Sequence, residues 1–276
     1  MGYYPKPMPE LAEVDYFRKR WNPGLGHKIE RVLLHAKAGV FKTCDPALLV
    51  RHLTGATLLS SKAAAKQMLF RASGDAWLGI HLGMTGELSV QPAGYTPQKR
   101  DHLVLVQKYR SLVFADFRMF GRVQFHVGPD APDWWANIAP AVLSPAFTVD
   151  AVYVFLRRRA RTPIKAVLLM QERFPGIGNW MADEILWRAA IHPKRLAGSL
   201  TEKETAAIHR ETRWVADHAL KIIGNADSST LVDPPKTWLF RHRWENGGKC
   251  PKTGALLVRE EIGGRTTCWS PARQKL

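Results

Sequence analysis

The sequence predicts an α+β protein with a β-rich first half and a helical second half. Three observations support this. Short β-rich runs dominate from about residue 28 to residue 127, apolar spacing turns helical after Pro132, and the last forty residues look like a loop followed by a β-hairpin. A chain of 276 residues has room for two cores without disulfide or metal staples.

Taken in order, the first element is helical. Leu11, Val14, Phe17 and Trp21 recur every three or four residues between Pro9 and the breakers Asn22-Pro23-Gly24. Strands are then predicted over Ile29 to Leu34, Gln67 to Ala72, Trp77 to Leu82, Leu103 to Val106, Leu112 to Ala115 and Arg122 to Phe125. Gly, Ser and charged turns separate them, the spacing of a β-sandwich or barrel-like domain. Helices are predicted over Thr148 to Arg159, Ile164 to Glu172, Asn179 to Ala190 and Thr201 to Ile223, with Pro and Gly at the joins. A polar stretch from Gly224 to Lys236 precedes the terminal hairpin.

Composition narrows the class of partner. Forty Lys and Arg against twenty-four Asp and Glu leave a formal net charge of +16, more than solubility demands, so a polyanion is expected and nucleic acid is the first candidate. Cys44, Cys250 and Cys268 are too few for a disulfide framework and fit a reducing compartment. The N-terminus has no apolar core of signal-peptide type, and no apolar run approaches the ~18 residues of a membrane span. The expectation is a soluble, intracellular protein, cytoplasmic or associated with a bacterial nucleoid, with no membrane partner.

Four separated segments resemble one family. These are Met8-Pro9-Glu10-Leu11-Ala12-Glu13-Val14, then His81-Leu82-Gly83-Met84-Thr85-Gly86, then Pro175-Gly176-Ile177-Gly178-Asn179 continuing to Ile191-His192-Pro193, and finally Gly263-Gly264-Arg265-Thr266-Thr267-Cys268. Their order and spacing resemble the formamidopyrimidine-DNA glycosylase / endonuclease VIII family across nearly the whole chain. The resemblance implies an N-terminal β-sandwich with its leading helix (1–130), a helix-two-turn-helix domain (131–236) and a β-hairpin finger (237–276). It also implies a monomeric base-excision repair enzyme acting on double-stranded DNA that contains a damaged base or an abasic site.

By the same resemblance, Pro9 matches the family's nucleophilic proline, whose secondary amine forms an iminium with the opened sugar. Glu10 matches the glutamate that shuttles protons at the sugar ring oxygen and leaving group, and burial beside apolar residues is expected to tune it. Glu13 is the second matching acid. Lys66, preferred over nearby Lys62 because the apolar run Met68-Leu69-Phe70 fixes the register, matches the lysine that reaches the phosphate beside the lesion. Met84, Arg118 and Phe120 match the side chains that fill the hole left by the everted base. Asn179, at a helix start, is expected to cap it and to meet a phosphate, and Arg265 matches the phosphate-gripping arginine of the finger.

Two departures carry chemistry. Pro9 lies inside the chain, where its nitrogen is an amide with no available lone pair. The covalent route with strand cleavage (AP lyase activity) therefore requires a chain that begins at Pro9. Otherwise Glu10 and water could hydrolyse the glycosidic bond, or the chain could be a non-catalytic damaged-DNA binder. In the finger, Cys250-Pro251-Lys252-Thr253 and Cys268-Trp269-Ser270-Pro271 each keep only the first cysteine of a CxxC pair. A zincless finger is expected, packed by Trp244, Leu256, Val258 and Trp269, with no metal and no cofactor. Met119 stands where many relatives carry a second arginine.

Overall fold

The computed structural model describes residues 8–35, 38–226, 230–244 and 246–276. It separates into two compact units, one holding, among the described residues, 8–9 and Glu13–Ile138, the other Glu10–Ala12 and Ala139–Leu276.

The N-terminal unit holds helix α1 (Leu11–Arg20) from Glu13 onward and continues through β1 (Ile29–Leu34), α2 (Pro46–Leu53), β2 (Leu58–Ala64), β3 (Gln67–Ala72), β4 (Ala76–His81), β5 (Gly86–Pro92), β6 (Asp101–Gln107), β7 (Arg110–Asp116), β8 (Arg122–Val127) and the single turn α3 (Asp133–Ala136). Two antiparallel four-stranded sheets result, ordered β1-β6-β7-β5 and β2-β3-β4-β8. Alternating residues fill the core, among them Met68, Phe70, Leu78 and Ile80 from one sheet and Leu103, Leu105, Leu112 and Phe114 from the other. Trp21, just past α1, is fully buried. Its indole N–H reaches the carbonyls of Ser89 and Val113 at 3.1 and 3.3 Å, and its ring lies 4.9 Å from that of Phe70. One side chain thus touches both sheets, and Trp21→Ala would cost about 3–5 kcal/mol.

Besides the single turn α3, the strands β2 and β5 and helix α2 were not foreseen. Strand β2 reads Leu-Leu-Ser-Ser-Lys-Ala-Ala and lacks alternation; it is a strand because β3 pairs with it from Ser60↔Arg71 to Ala64↔Gln67. Strand β5 is likewise drawn out by its pairing with β7. Helix α2 had a readable start, since the Asp45 carboxylate accepts from the amide of Ala47 at 2.8 Å and Pro46 opens the first turn.

The C-terminal unit holds α4 (Val149–Arg158), α5 (Ile164–Val167), α6 (Asn179–Ala189), α7 (Glu202–Ala219) and the hairpin of β9 (Val258–Ile262) and β10 (Arg265–Trp269). Thr148 caps α4, and a reciprocal Thr201–Glu204 capping box starts α7, which ends in a widened turn over Leu220–Gly224. The helix expected over residues 164–172 stops at Val167. Past Val167 the amides bond carbonyls three residues back, Leu169 to Ala166 at 3.2 Å and Met170 to Val167 at 3.1 Å, so the chain continues in turns.

A buried ionic node holds this unit together. The Asp183 carboxylate meets Lys165 Nζ at 2.5 Å, the Arg243 guanidinium at 2.6 and 3.1 Å and the amide of Cys268 at 3.0 Å. It therefore joins α5, α6, the 239–243 segment and β10. Burial lowers the Lys165 ammonium below its usual range, an effect opposed by Asp183.

Near the terminal hairpin, Cys250 and Cys268 lie in an apolar cluster with Trp187, Leu239 and Leu257. The Trp187 indole N–H donates to Cys250 Sγ at 3.3 Å. Burial pushes the Cys268 thiol up to about 12, whereas hydrogen bonds from neighbouring groups overcome burial and bring Cys250 down to about 7. The expected packing by Leu256 needs correction: that residue is 64% exposed, and Leu257 enters the cluster instead. Trp244 packs edge-on against Phe240, and the Trp269 indole donates to Glu260. Among the described residues, no group of three or more His, Cys, Asp or Glu is placed to hold a metal ion.

Candidate functional site

The C-terminal unit assembles its cluster around Glu10. This carboxylate is only 1% exposed. Oε2 accepts from the amides of Gly178 and Met181 at 2.9 and 3.1 Å, and Oε1 accepts from Trp180 at 2.9 Å. Those amides form the opening turn of α6, where unpaired N–H groups and the positive end of the helix dipole face an anion. The adjoining backbone is tied down as well, with the Leu11 amide on the Gly176 carbonyl at 3.0 Å. Apolar burial was expected to tune Glu10; the carboxylate is buried and, in addition, meets three N–H donors.

Local sequence explains the cradle. Pro175-Gly176 turns the chain, with Gly176 at φ +86°, and Gly178 leaves room for the acid. A Cβ on Gly178 would stand 2.5 Å from Glu10 Oε1 and 2.6 Å from Cγ.

The capping role expected of Asn179 therefore belongs to Glu10. Asn179 is the first residue of α6, and its side-chain amide donates to the carbonyl of Thr266 at 2.9 Å, linking the helix start to the hairpin. Arg265, the neighbour of Thr266, is exposed at the head of β10; its carbonyl accepts from the Thr267 hydroxyl at 3.0 Å, and its guanidinium makes no hydrogen bond or ion pair among the described residues. The Gly263-Gly264 turn before it has both residues at positive φ, as a two-residue hairpin requires.

Pro9 and Glu13 are buried near the start of α1. Pro9 is bonded through its ring nitrogen to Met8 in this chain.

The N-terminal unit carries a second cluster. Lys66 sits in the β2–β3 turn, next to Gln67, which pairs with His81 across the sheet. Burial, aided by the nearby Arg122 and Lys66 charges, lowers His81 to about 4, and its Nδ1 accepts from the Gly83 amide at 3.0 Å. His81 is therefore neutral at pH 7, with Nε2 carrying the proton. It went unassigned in the sequence reading although it heads the His81–Gly86 motif.

Met84 lies on the turn between β4 and β5, and Arg118 and Phe120 on the loop between β7 and β8. Phe120 is 56% exposed, and the Arg118 guanidinium lies 4.7 Å from its ring centroid. Met119, at φ +55°, and Phe117 are exposed beside them. Such a projecting apolar surface next to a cation suits insertion into a base stack. Also missed was the Lys165–Asp183 pair. Its signal was an isolated lysine inside the apolar run Ile164-Lys165-Ala166-Val167-Leu168-Leu169.

Residues 8–123 match the formamidopyrimidine-DNA glycosylase N-terminal domain, and residues 138–230 match the formamidopyrimidine-DNA glycosylase H2TH domain. A formamidopyrimidine-DNA glycosylase of Geobacter sulfurreducens is 35% identical, over 97% of this chain and 100% of its own length. One from Arabidopsis thaliana is 30% identical over 98% of this chain and 71% of its own. Among solved structures, Lactococcus lactis Fpg in complex with DNA containing an oxidised pyrimidine is similar at a TM-score of 0.87 and 26% identity, covering 97% of this chain and 100% of that one.

Proposed function

Because the chain belongs to the formamidopyrimidine-DNA glycosylase family, we propose that it is a base-excision repair glycosylase that removes a damaged base from double-stranded DNA and cleaves the strand once Pro9 is its N-terminus. The observation that carries the reading is the Glu10 carboxylate, next in the chain to Pro9 and held by three amides of α6. Such a rigid acid is suited to moving protons at a fixed atom.

In this reading the free Pro9 amine attacks C1′ of the everted nucleotide. The bond from C1′ to the base breaks, and the base leaves with its electron pair and takes up a proton. The Pro9 nitrogen then gives up its proton to Glu10, its lone pair opens the sugar ring to an iminium, and Glu10 passes that proton to the ring oxygen. Loss of a proton from C2′ then expels the 3′ phosphate strand, and water releases the amine. Lys66 and Arg265 serve phosphates, Asn179 braces the finger beside Arg265, and Glu13 supports proton transfer. Met84, Arg118 and Phe120 hold the space vacated by the base, at a cost of a few kcal/mol in lost stacking. The working division is 1–130 for chemistry and eversion, 131–236 for the helix-two-turn-helix and 237–276 for a metal-free finger. The family match opens at Met8, leaving seven residues before it, and this supports an active form in which Met8 is removed and Pro9 is first.

While Met8 remains attached, the nitrogen of Pro9 has no lone pair to offer. That bond favours a second reading for the full chain, hydrolysis by water activated at Glu10, which leaves an abasic site uncut. The compartment follows the substrate: the protein works where the genome lies, inside the cell. No helix among the described residues is long and apolar enough to cross a membrane.

The test compares full-length protein with a form that begins at Pro9, on duplexes carrying oxidised purines, oxidised pyrimidines, alkylated bases or an abasic site. Cut strands and borohydride-trapped protein from the Pro9 form alone are expected. Trapping by protein with an intact N-terminus would overturn Pro9 as the nucleophile, and lesion DNA left unaltered by both forms would point to a binder. Glu10→Gln should abolish base release while DNA affinity stays within about threefold.

A further inference from the structure

We propose that Asp116 and Thr85 form a positioning clamp that joins the Met84 turn and the Arg118–Phe120 loop into one preassembled wedge, resting on the glycosylase reading above. Asp116 is buried at the end of β7. Its Oδ1 accepts from the Thr85 hydroxyl at 2.5 Å and the Arg118 amide at 3.2 Å, and its Oδ2 accepts from the Gly121 amide at 2.7 Å. Thr85 Oγ1 in turn accepts from the Arg118 amide at 3.0 Å. The carboxylate thereby spans both ends of the 118–121 loop, and the hydroxyl couples that loop to the turn carrying Met84. No ion pair to Asp116 occurs among the described residues, so the carboxylate acts on backbone and hydroxyl groups.

Three further contacts hold the loops in place. Gly83, at φ +62°, lies so close to the second loop that a Cβ would stand 2.6 Å from the amide nitrogen of Gly121 and from the carbonyl oxygen of Phe120. The backbone of Asp116 is anchored too, its amide bonded to the Arg100 carbonyl at 3.0 Å and its carbonyl to the His102 ring at 2.9 Å. Exposed Met119 and Phe120 thus stand on a locked base. Insertion into stacked DNA spends free energy, and a wedge ordered beforehand does not spend more on ordering itself.

The clamp should matter only where a stack must be opened. Thr85→Val keeps the side-chain shape and deletes the coupling hydroxyl, whereas Thr85→Ser keeps the hydroxyl. Single-turnover base release from a fully paired lesion duplex should slow about tenfold in Thr85→Val, the order expected for losing a hydrogen bond to a charged group. The same lesion in a single-nucleotide bulge should be released within about twofold of wild type, and Thr85→Ser should match wild type on both. Independently of turnover, 2-aminopurine beside a tetrahydrofuran abasic analogue should brighten on binding to wild type and clearly less with Thr85→Val. Equal slowing on paired and bulged DNA, or wild-type rates and fluorescence in Thr85→Val, would overturn the clamp. Should wild type brighten 2-aminopurine yet release no base, the catalytic reading fails while the fluorescence comparison still decides this one.

Discussion

Replacing Gly178 by alanine tests the Glu10 cradle most directly. The added Cβ would lie 2.5 Å from Oε1 and 2.6 Å from Cγ of Glu10, about an ångström inside ordinary contact distance. Glu10 cannot slide away cheaply, because its neighbour Leu11 is bonded to Gly176 and its own oxygens to three amides. The acid must leave the cradle, and each of those charge-assisted bonds is worth about 1.5–3 kcal/mol. Relaxation recovers part of this, so a net loss of about 2–4 kcal/mol is expected, a fall in Tm of roughly 5–15 °C for a chain of this size. A carboxylate displaced by an ångström should also slow base release at least about hundredfold. Duplex affinity should stay within about threefold, since the surface groups are untouched. Single-turnover excision, DNA titration and thermal melting on the same preparation read all three quantities. Base release at the wild-type rate, in protein shown to be folded, would refute the claim that Glu10 works from this cradle.

Glu184 is fully buried, and burial pushes its carboxyl up to about 8, partly opposed by Arg188. Its folded pKa exceeds the unfolded 4.5, so the stability it allows is complete below pH 4.5 and is lost as pH rises through 8; Glu184→Gln should stabilise by an amount that grows over this window towards at most about 5 kcal/mol, and equal denaturant midpoint shifts at pH 5 and pH 8 would contradict it. His81 runs the opposite way: with its folded pKa near 4 against 6.5 unfolded, stability should rise with pH between those values by at most about 3 kcal/mol. His81→Gln should flatten that part of the urea-denaturation profile. Arg265→Ala should weaken binding to lesion and undamaged duplex alike and lower the salt slope of log K by about one. An unchanged slope in a fluorescence anisotropy titration would remove Arg265 from the phosphate contacts.

Much of the architecture was legible in the sequence because its signals are local. Strands β1 and β3 have the predicted bounds, and α4, α6 and α7 start within a residue of their predicted positions. Alternation, helical spacing and caps act over a few residues, so a short window contains them. Strand β2 escaped because its own residues do not favour an extended chain and its partner β3 does. The residues of the candidate site could be named from motifs, but their relations could not. Gly178 meets Glu10 across 168 positions of sequence, and no periodicity reports a contact at that range. Reading Glu10 as an acid among apolar neighbours was reasonable for a helix start taken alone; folding the chain places the donors of another helix around it. The residue types at each motif were thus determined by the sequence itself, whereas the tertiary structure decided what each polar atom faces. That division has a physical cause: propensity is a property of neighbouring residues, but a buried polar group must find its partner wherever the folded chain happens to bring one.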